Sequence, residues 1–301
     1  MERKIVYLIN PISGTRGKSS LQELIARRTR ERGINFSILP TDAEGRYEFL
    51  TSLIRQEQVT DIVICGGDGT ISAVAAALAG TEIRVGIIPM GSGNGLALAA
   101  GIPLDPDKAL DLIFEANASH IDAFTINGCF SCMLCGIGFD AHVAHEFARQ
   151  SSRGLQTYIR VTLRHFFSMK PYPFRIRSGE SSFPVDAFFI SVANGNQFGN
   201  NFTIAPKASL DDGMLDIVIA RKTNKLHLLL SVIRQVLGGN GIQDIRKEPG
   251  KKQILYFRTS GLIIENPAGA PLHIDGDPAA TDKEFIIRIV PRVFRLIHPA
   301  S

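Results

Sequence analysis

Ile62-Val63-Ile64-Cys65, opened by Asp61, runs into Gly66-Gly67-Asp68-Gly69-Thr70, and an Ala-rich segment follows from Thr70 to Leu78. A strand without polar alternation must be covered on both faces, as in a parallel sheet between layers of helices. The glycines end the strand in a sharp turn, and the helical pattern begins at once. The flanking sequence repeats this rhythm. Lys4–Asn10, Ile34–Leu39 and Arg84–Pro89 read as strands. Ser20–Glu31, with Leu21, Leu24 and Ile25 as its apolar stripe, Ala43–Gln56 and Asp107–Ala116 read as helices. The alternation predicts a doubly wound α/β domain over residues 1–122.

The pattern changes near Ala123. Short strands then dominate to about Val290, among them Phe130–Gly136, Val185–Ala193, Met214–Ala220 and Phe285–Val290. Helical stretches over Asp140–Phe167 and Lys225–Leu237 interrupt them. This predicts a β-sandwich over 123–290, so the fold class is α/β plus β. A last apolar run, Arg295–Ile297 within 291–301, is expected to return as a strand to the first domain. The length of 301 residues suits two domains.

A net charge of +4 is too small to argue for nucleic acid, and it would not hinder docking on an anionic membrane. No apolar run approaches the ~20 residues of a membrane span, and the start, Met1-Glu2-Arg3-Lys4, carries no secretory pattern. Cys129, Cys132 and Cys135 have a metal-like spacing. Read as one buried strand, however, Cys129–Cys135 would turn Cys132 away from the other two, and no close fourth ligand completes a set. The cysteines, with Cys65, are expected to be core thiols in a cytoplasmic protein.

Gly66–Thr70 falls where an open α/β sheet binds ligands, beyond the carboxyl end of a strand. Gly66, Gly67 and Gly69 allow a phosphate close to the backbone, and the following helix offers unpaired N–H groups to an anion. The Asp68 carboxylate makes sense beside a magnesium ion or a substrate proton. A second loop, Pro89-Met90-Gly91-Ser92-Gly93-Asn94-Gly95, also follows an apolar strand, with Ser92 and Asn94 as side-chain donors. Two such loops could clamp a nucleotide, although neither has the Walker A or the dinucleotide fingerprint. Asn10 and Ser13 read as polar strand-end groups facing the same crevice, or as a capped turn. Asp275-Gly276-Asp277 is a compact acidic turn, either a source of a proton acceptor or a solvated hairpin. Basic and apolar residues interleave over 149–170, as a membrane-docking element or as a core face with a solvated basic side. His142 and His145 lack a third ligand and read as structural.

Asn10-Pro11-x-Ser13-Gly14, Gly66-Gly67-Asp68-Gly69-Thr70 and Gly91-Ser92-Gly93-Asn94, in that order, resemble the diacylglycerol kinase catalytic-domain family. That family also contains sphingosine and ceramide kinases and soluble bacterial lipid kinases. Gly136–Ala141, Val192-Ala193-Asn194-Gly195, Ala205–Asp216 and Ile274–Asp277 resemble its later motifs, so the resemblance covers nearly the whole chain. NAD kinases share the first glycine loop, but the second loop and the terminal acidic turn favour the lipid kinases.

The resemblance implies a nucleotide domain, a β-sandwich and an active site in the cleft between them. ATP would be bound by Asn10, Ser13, Thr41, Gly66, Gly67, Asp68, Gly69, Thr70, Gly91, Ser92 and Asn94. Asp275 would take the acceptor's proton, with Asp277, one methylene shorter than the family's usual Glu, supporting it. A structural Mg2+ would sit on the Asp212 side chain and the carbonyls of Ser209 and Met214. The implied activity is ATP- and magnesium-dependent phosphorylation of a membrane-lipid hydroxyl, by default diacylglycerol to phosphatidic acid. The enzyme would be cytoplasmic, with no transmembrane segment, visiting the inner membrane surface. A sphingoid base or ceramide as acceptor, an NAD kinase-like enzyme and a non-catalytic nucleotide- or lipid-binding regulator are the alternatives. Homodimerisation is left open.

Overall fold

The computed structural model describes residues 2–10, 18–42, 44–152, 154–197, 203–236, 242–243 and 252–300. These fall into two units, residues 1–122 with 292–301 and residues 123–291.

The first unit begins β1 (Lys4–Ile9), α1 (Lys18–Glu31), β2 (Asn35–Pro40), α2 (Phe49–Glu57), β3 (Asp61–Gly66) and α3 (Asp68–Ala77). It continues β4 (Arg84–Pro89), α4 (Gly95–Ala99) and α5 (Pro106–Glu115). The strands lie in the order β2-β1-β3-β4, all parallel. β3 is buried from end to end, as its composition demands. One face packs Ile5, Tyr7, Val63 and Cys65 against Leu21 and Ile25 of α1 and Leu110 and Ile113 of α5. Asp105 caps α5 by accepting from the N–H groups of Asp107 and Lys108, with Pro106 at the first helical position. α2 starts later than the sequence pattern implies. The Asp42 side chain accepts the Glu44 N–H at 2.6 Å, and this local turn competes with a helix.

β5 (Ala118–Ile126) carries the chain into the second unit. There follow β6 (Cys129–Ser131), β7 (Leu134–Gly138), α6 (Phe139–Ala148), α7 (Leu155–Phe166), β8 (Tyr172–Ser178) and β9 (Ser181–Ala193). Then come β10 (Leu215–Arg221), α8 (Lys225–Val236), β11 (Ile254–Thr259), β12 (Gly261–Glu265), β13 (Leu272–Ile274), β14 (Asp277–Ala279) and β15 (Glu284–Ile297). The path β14-β13-β7-β9-β8-β12-β15 is antiparallel, with β10 and β11 branching from β9. One apolar core joins Phe124, Ile137, Ile190, Ile217, Phe257 and Phe285.

Three sequence readings change. The helical stretch over 140–167 is two helices, because Gly154 precedes α7 in a conformation with φ +102°. Cys129–Cys135 is not one strand: β6 ends at Ser131 and β7 starts at Leu134. Cys129 is exposed, while Cys65, Cys132 and Cys135 are buried free thiols. Arg295–Ile297 is the end of the fourteen-residue β15 rather than a separate strand. That end runs parallel to β4 through Arg295 and Leu296 in the first unit.

Candidate active site

In the first unit, β1 lies between β2 and β3, so the connections leave it in opposite directions. The crevice at such a switch point, beyond the carboxyl ends of the strands, is where open α/β sheets hold ligands. Asn10 directly follows β1, and β3 ends at Gly66. Asn10 is drawn across by its backbone, which donates to the Cys65 carbonyl at 3.0 Å. Its side chain donates to Thr70 Oγ1 at 3.0 Å. The strand-end Asn and the first turn of α3 are thereby one hydrogen-bonded unit. Thr41 continues the same edge past β2, donating its N–H to the Ile9 carbonyl, and is buried.

The turn into α3 has Gly67 extended at the cap position, and no side chain caps the helix. The N–H groups of the first turn therefore face outward with the positive end of the helix behind them. Asp68 opens that turn, with one carboxylate oxygen shut from solvent. The second glycine loop lies directly against the first. The Met90 N–H donates to the Gly66 carbonyl at 2.9 Å, and a Cβ placed on Gly91 would fall 2.6 Å from the Gly67 Cα. No side chain fits between two backbones at that separation. Asn94, at φ +52°, folds the loop onto itself: its Oδ1 accepts the Gly91 N–H at 2.8 Å and its Nδ2 donates to the Gly91 carbonyl at 2.9 Å. Its amide thus shapes the loop, while Ser92 stands exposed at the rim. Asn10, Thr41, Gly66–Thr70, Gly91 and Asn94 are brought together, and Ser13 lies outside the described residues.

In the second unit, Asp275-Gly276 is the two-residue turn between β13 and β14, with Ile274 paired to Asp277 and φ values of +49° and +88°. Asp-Gly suits such a turn because both residues must be left-handed. This is a hairpin, yet Asp275 is not solvated; it is only 8% exposed. Its Oδ1 accepts from Ser131 Oγ at 2.6 Å, the Leu134 N–H at 3.0 Å and the Met133 N–H at 3.3 Å. The break between β6 and β7 therefore has a use: backbone that left the ladder at Cys132-Met133 aims N–H groups at this carboxylate. Asn194 holds the break open, its Nδ2 donating to the Cys132 carbonyl and its N–H to that of Met133. Asp277 is exposed on the far side of the turn.

Beneath the turn lies a buried acid and imidazole. The Gly276 N–H donates to His273 Nδ1 at 3.3 Å, which leaves the ring's proton on Nε2, 3.7 Å from Asp140 Oδ2. Burial raises the Asp140 carboxyl above its usual range, and His273 draws it partly back. A Cβ on Gly136 would come within 2.0 Å of Asp140 Oδ2 and 2.3 Å of His273 Nε2, so only glycine leaves room for the pair.

Known proteins carry both units. The diacylglycerol kinase catalytic domain matches residues 4–126, and the YegS C-terminal NAD kinase beta sandwich-like domain matches 134–298. A Citrobacter koseri protein described as a probable lipid kinase YegS-like is 30% identical over 274 residues, 88% of this chain and 87% of that one. A Xanthomonas euvesicatoria pv. vesicatoria protein of the same description is 28% identical over 284 residues, 90% of this chain and 89% of its own. The chain belongs to the diacylglycerol kinase catalytic-domain family. A crystal structure described as a diacylglycerol kinase from Bacillus anthracis str. Sterne shares the fold. Its TM-score is 0.74 at 18% identity, over 99% of this chain and 97% of that one.

The structural-magnesium loop expected for this family is arranged differently from the other sites. The Asp212 carboxylate is paired with the Arg258 guanidinium and accepts the Met214 N–H at 3.1 Å, while Ser209 Oγ donates to Asp211. With a cation already on the only proposed carboxylate, these residues do not fit a metal unless Arg258 withdraws. Arg258 also approaches the buried Asp216 at 3.4 Å, and Tyr256 donates to Asp216 at 2.6 Å. His142 meets His165 at 3.1 Å, and His145 meets the Leu272 carbonyl at 2.7 Å. No metal-binding cluster of His, Cys, Asp or Glu occurs among the described residues.

Sequence reasoning missed Ser131, Asn194 and His273 as supports of the acidic turn. Asn194 was visible only as part of a motif. Ser131 looked like a strand residue, and His273 had no partner within reach in sequence.

Proposed function

We propose that this protein is an ATP- and magnesium-dependent lipid kinase acting on a hydroxyl of a membrane lipid, with diacylglycerol, giving phosphatidic acid, as its first acceptor. The observation that carries this reading is the contact of Gly67 with Gly91 beyond the carboxyl ends of β3 and β4, next to the β1/β3 switch point. It sets two glycine loops, the uncapped start of α3 and Asp68 around one space suited to a triphosphate.

Phosphoryl transfer asks a protein for position and charge stabilisation more than for covalent chemistry. The α3 N–H groups and the glycine-loop backbone hold the phosphates, Asn10 and Thr70 set the loop, and Thr41 and Ser92 complete the nucleotide edge. Magnesium, bound with the triphosphate beside Asp68, would neutralise phosphate charge. The acceptor oxygen bonds to the γ-phosphorus, the bond to the β–γ bridging oxygen breaks, ADP leaves, and the hydroxyl proton passes to Asp275. Three donors on Oδ1 fix that carboxylate while the turn carries it, and Asp277 assists from the exposed side. Free thiols suit a cytoplasmic enzyme, which meets its acceptor at the inner membrane surface.

The test is transfer of label from γ-labelled ATP to single lipids in mixed micelles: diacylglycerol, monoacylglycerol, phosphatidylglycerol, ceramide and a sphingoid base, with NAD as soluble control. A labelled lipid that disappears with Asp68→Ala and Asp275→Ala supports the reading and names the acceptor. Label on NAD alone, or ATP binding without any product, overturns it.

A further inference from the structure

Donors from β6 and β7 hold the Asp275 carboxylate, but its direction also depends on the peptide that joins Asp275 to Gly276. That peptide is fixed from below, where its N–H donates to His273 Nδ1 at 3.3 Å. The tight turns of hairpins differ in how this central peptide is oriented, and the hydrogen bond selects the one with both residues left-handed, at φ +49° and +88°. A ring nitrogen accepts only through its lone pair, so the His273 proton is on Nε2. The ring is fully buried, and Nε2 faces Asp140 Oδ2 at 3.7 Å. The other oxygen of that carboxylate, Oδ1, accepts the Ala141 N–H at 2.8 Å. The start of α6 thus orients Asp140 and leaves one oxygen toward the imidazole. α6 holds β13 at a second point, where His145 meets the Leu272 carbonyl at 2.7 Å.

We propose that Asp140 and His273 are positioning residues for Asp275. The Asp140 carboxylate keeps the imidazole proton on Nε2, and the Nδ1 lone pair so preserved holds the Gly276 N–H and, with it, the turn that aims the base. Asp140 touches neither nucleotide nor acceptor; it acts by choosing the tautomer of His273. In Asp140→Asn, Oδ1 can stay on the Ala141 N–H only if the amide nitrogen takes the place of Oδ2. An N–H then donates to Nε2, the imidazole proton moves to Nδ1, and there it meets the Gly276 N–H, donor against donor. The turn loses its hold and Asp275 its aim. Replacing the orienting Asp of a serine-protease triad by Asn is costly for the same reason, the wrong tautomer. The role of the turn in turnover rests on the lipid-kinase reading, since that reading makes Asp275 the base.

The test joins 15N spectra of the histidine side chains, which tell the two neutral tautomers apart, to the kinetics of transfer from γ-labelled ATP, both on the full chain. Among the seven histidines, the His273 signal is the one that His273→Asn removes. The proton is expected on Nε2 in the wild type and on Nδ1 in Asp140→Asn. That variant should lose about tenfold or more in kcat at unchanged KM for ATP. His273→Asn keeps an amide oxygen where Nδ1 stood, whereas His273→Gln carries its amide on to where Nε2 stood. His273→Asn should therefore retain about tenfold more kcat than His273→Gln. Combined with His273→Asn, Asp140→Asn should cost nothing further, because no tautomer remains to be set. A wild-type proton on Nδ1 overturns the proposal whether or not any variant folds. So does an Asp140→Asn chain with the wild-type tautomer and kcat, equal kcat in the two His273 variants, or a full further loss from Asp140→Asn beside His273→Asn. If the tautomer changes as expected but the wild type gives no product with any acceptor, the hold on the turn stands and the kinase reading alone fails. Transfer by a wild type with its proton on Nδ1 overturns the positioning role alone.

Discussion

Ser131 Oγ donates to Asp275 Oδ1 at 2.6 Å, although 144 residues separate them in sequence. The contact brings the end of β6 to the tip of the β13–β14 hairpin. It holds one oxygen of the candidate base still, together with two backbone N–H groups.

Removing that hydroxyl should slow transfer without weakening nucleotide binding. Ser131→Ala is expected to lower kcat about tenfold at unchanged KM for ATP, since the Met133 and Leu134 N–H groups remain. Asp275→Asn should lower it by about a hundredfold or more, the range for losing a positioned base. Steady-state kinetics on both variants separates the two roles, and a rise in KM for ATP as large as the fall in kcat would speak against them.

Gly91→Ala tests whether the glycine loops must touch. The added methyl would lie 2.6 Å from the Gly67 Cα, and backbone cannot swing aside as a side chain can. The loops should part, destabilising the chain by about 1–3 kcal/mol and raising KM for ATP. Melting and ATP titration together check it; wild-type values for both would remove the close approach from the argument.

Asp216 makes stability depend on pH. Burial pushes its carboxyl up to about 6, the Tyr256 hydrogen bond offsetting part of the rise. In the unfolded chain the same group titrates near about 3.9. Between these values the folded state keeps a proton that the unfolded state has released, so stability falls as pH rises through that window and levels off above it. Asp216→Asn has no such proton. The melting temperature of the wild type relative to Asp216→Asn should therefore be highest near pH 4 and decline through about pH 6. A flat or rising difference would contradict the shift.

Any metal ion on Asp212 would have to displace Arg258. With the guanidinium in place, millimolar magnesium without nucleotide should leave the wild-type melting temperature unchanged, and a chelator likewise. Arg258→Ala leaves Asp212 and the buried Asp216 without their cation, so it should melt earlier. If the loop can take a metal, that variant should regain part of its stability with magnesium. A wild type stabilised by magnesium alone would show that Arg258 yields to the ion.

Much was legible because it depends on local pattern. Ile62–Cys65 reads as a doubly covered strand, and Gly66–Thr70 as the turn that ends it. The glycine-loop side of the candidate site was therefore traceable in sequence, since each group follows directly on its strand. The acidic side was less so. Asp275-Gly276 reads equally well as a solvated hairpin, and the hairpin is real. What makes Asp275 special comes from Ser131, Met133 and Leu134, and nothing near residue 275 announces them. The run Cys129–Cys135 has the composition of one strand, yet it breaks at Cys132-Met133, where hydrogen bonds to Asp275 and Asn194 replace the ladder. Asp212 shows the reverse. Its loop has the motif expected to hold a metal, but a distant Arg258 arrives in the fold and takes the carboxylate.

By itself, then, the sequence determined the two-part architecture, the parallel sheet and the placing of the glycine loops at strand ends. Hydrophobic periodicity and the backbone freedom of glycine act over a few residues and can be read directly. The tertiary structure alone decided which loop touches which, which carboxylate is buried and held, and which cation sits beside Asp212. Those outcomes depend on contacts between residues tens to more than a hundred positions apart. Their distances are set by the packing of whole elements, which no short stretch of sequence encodes.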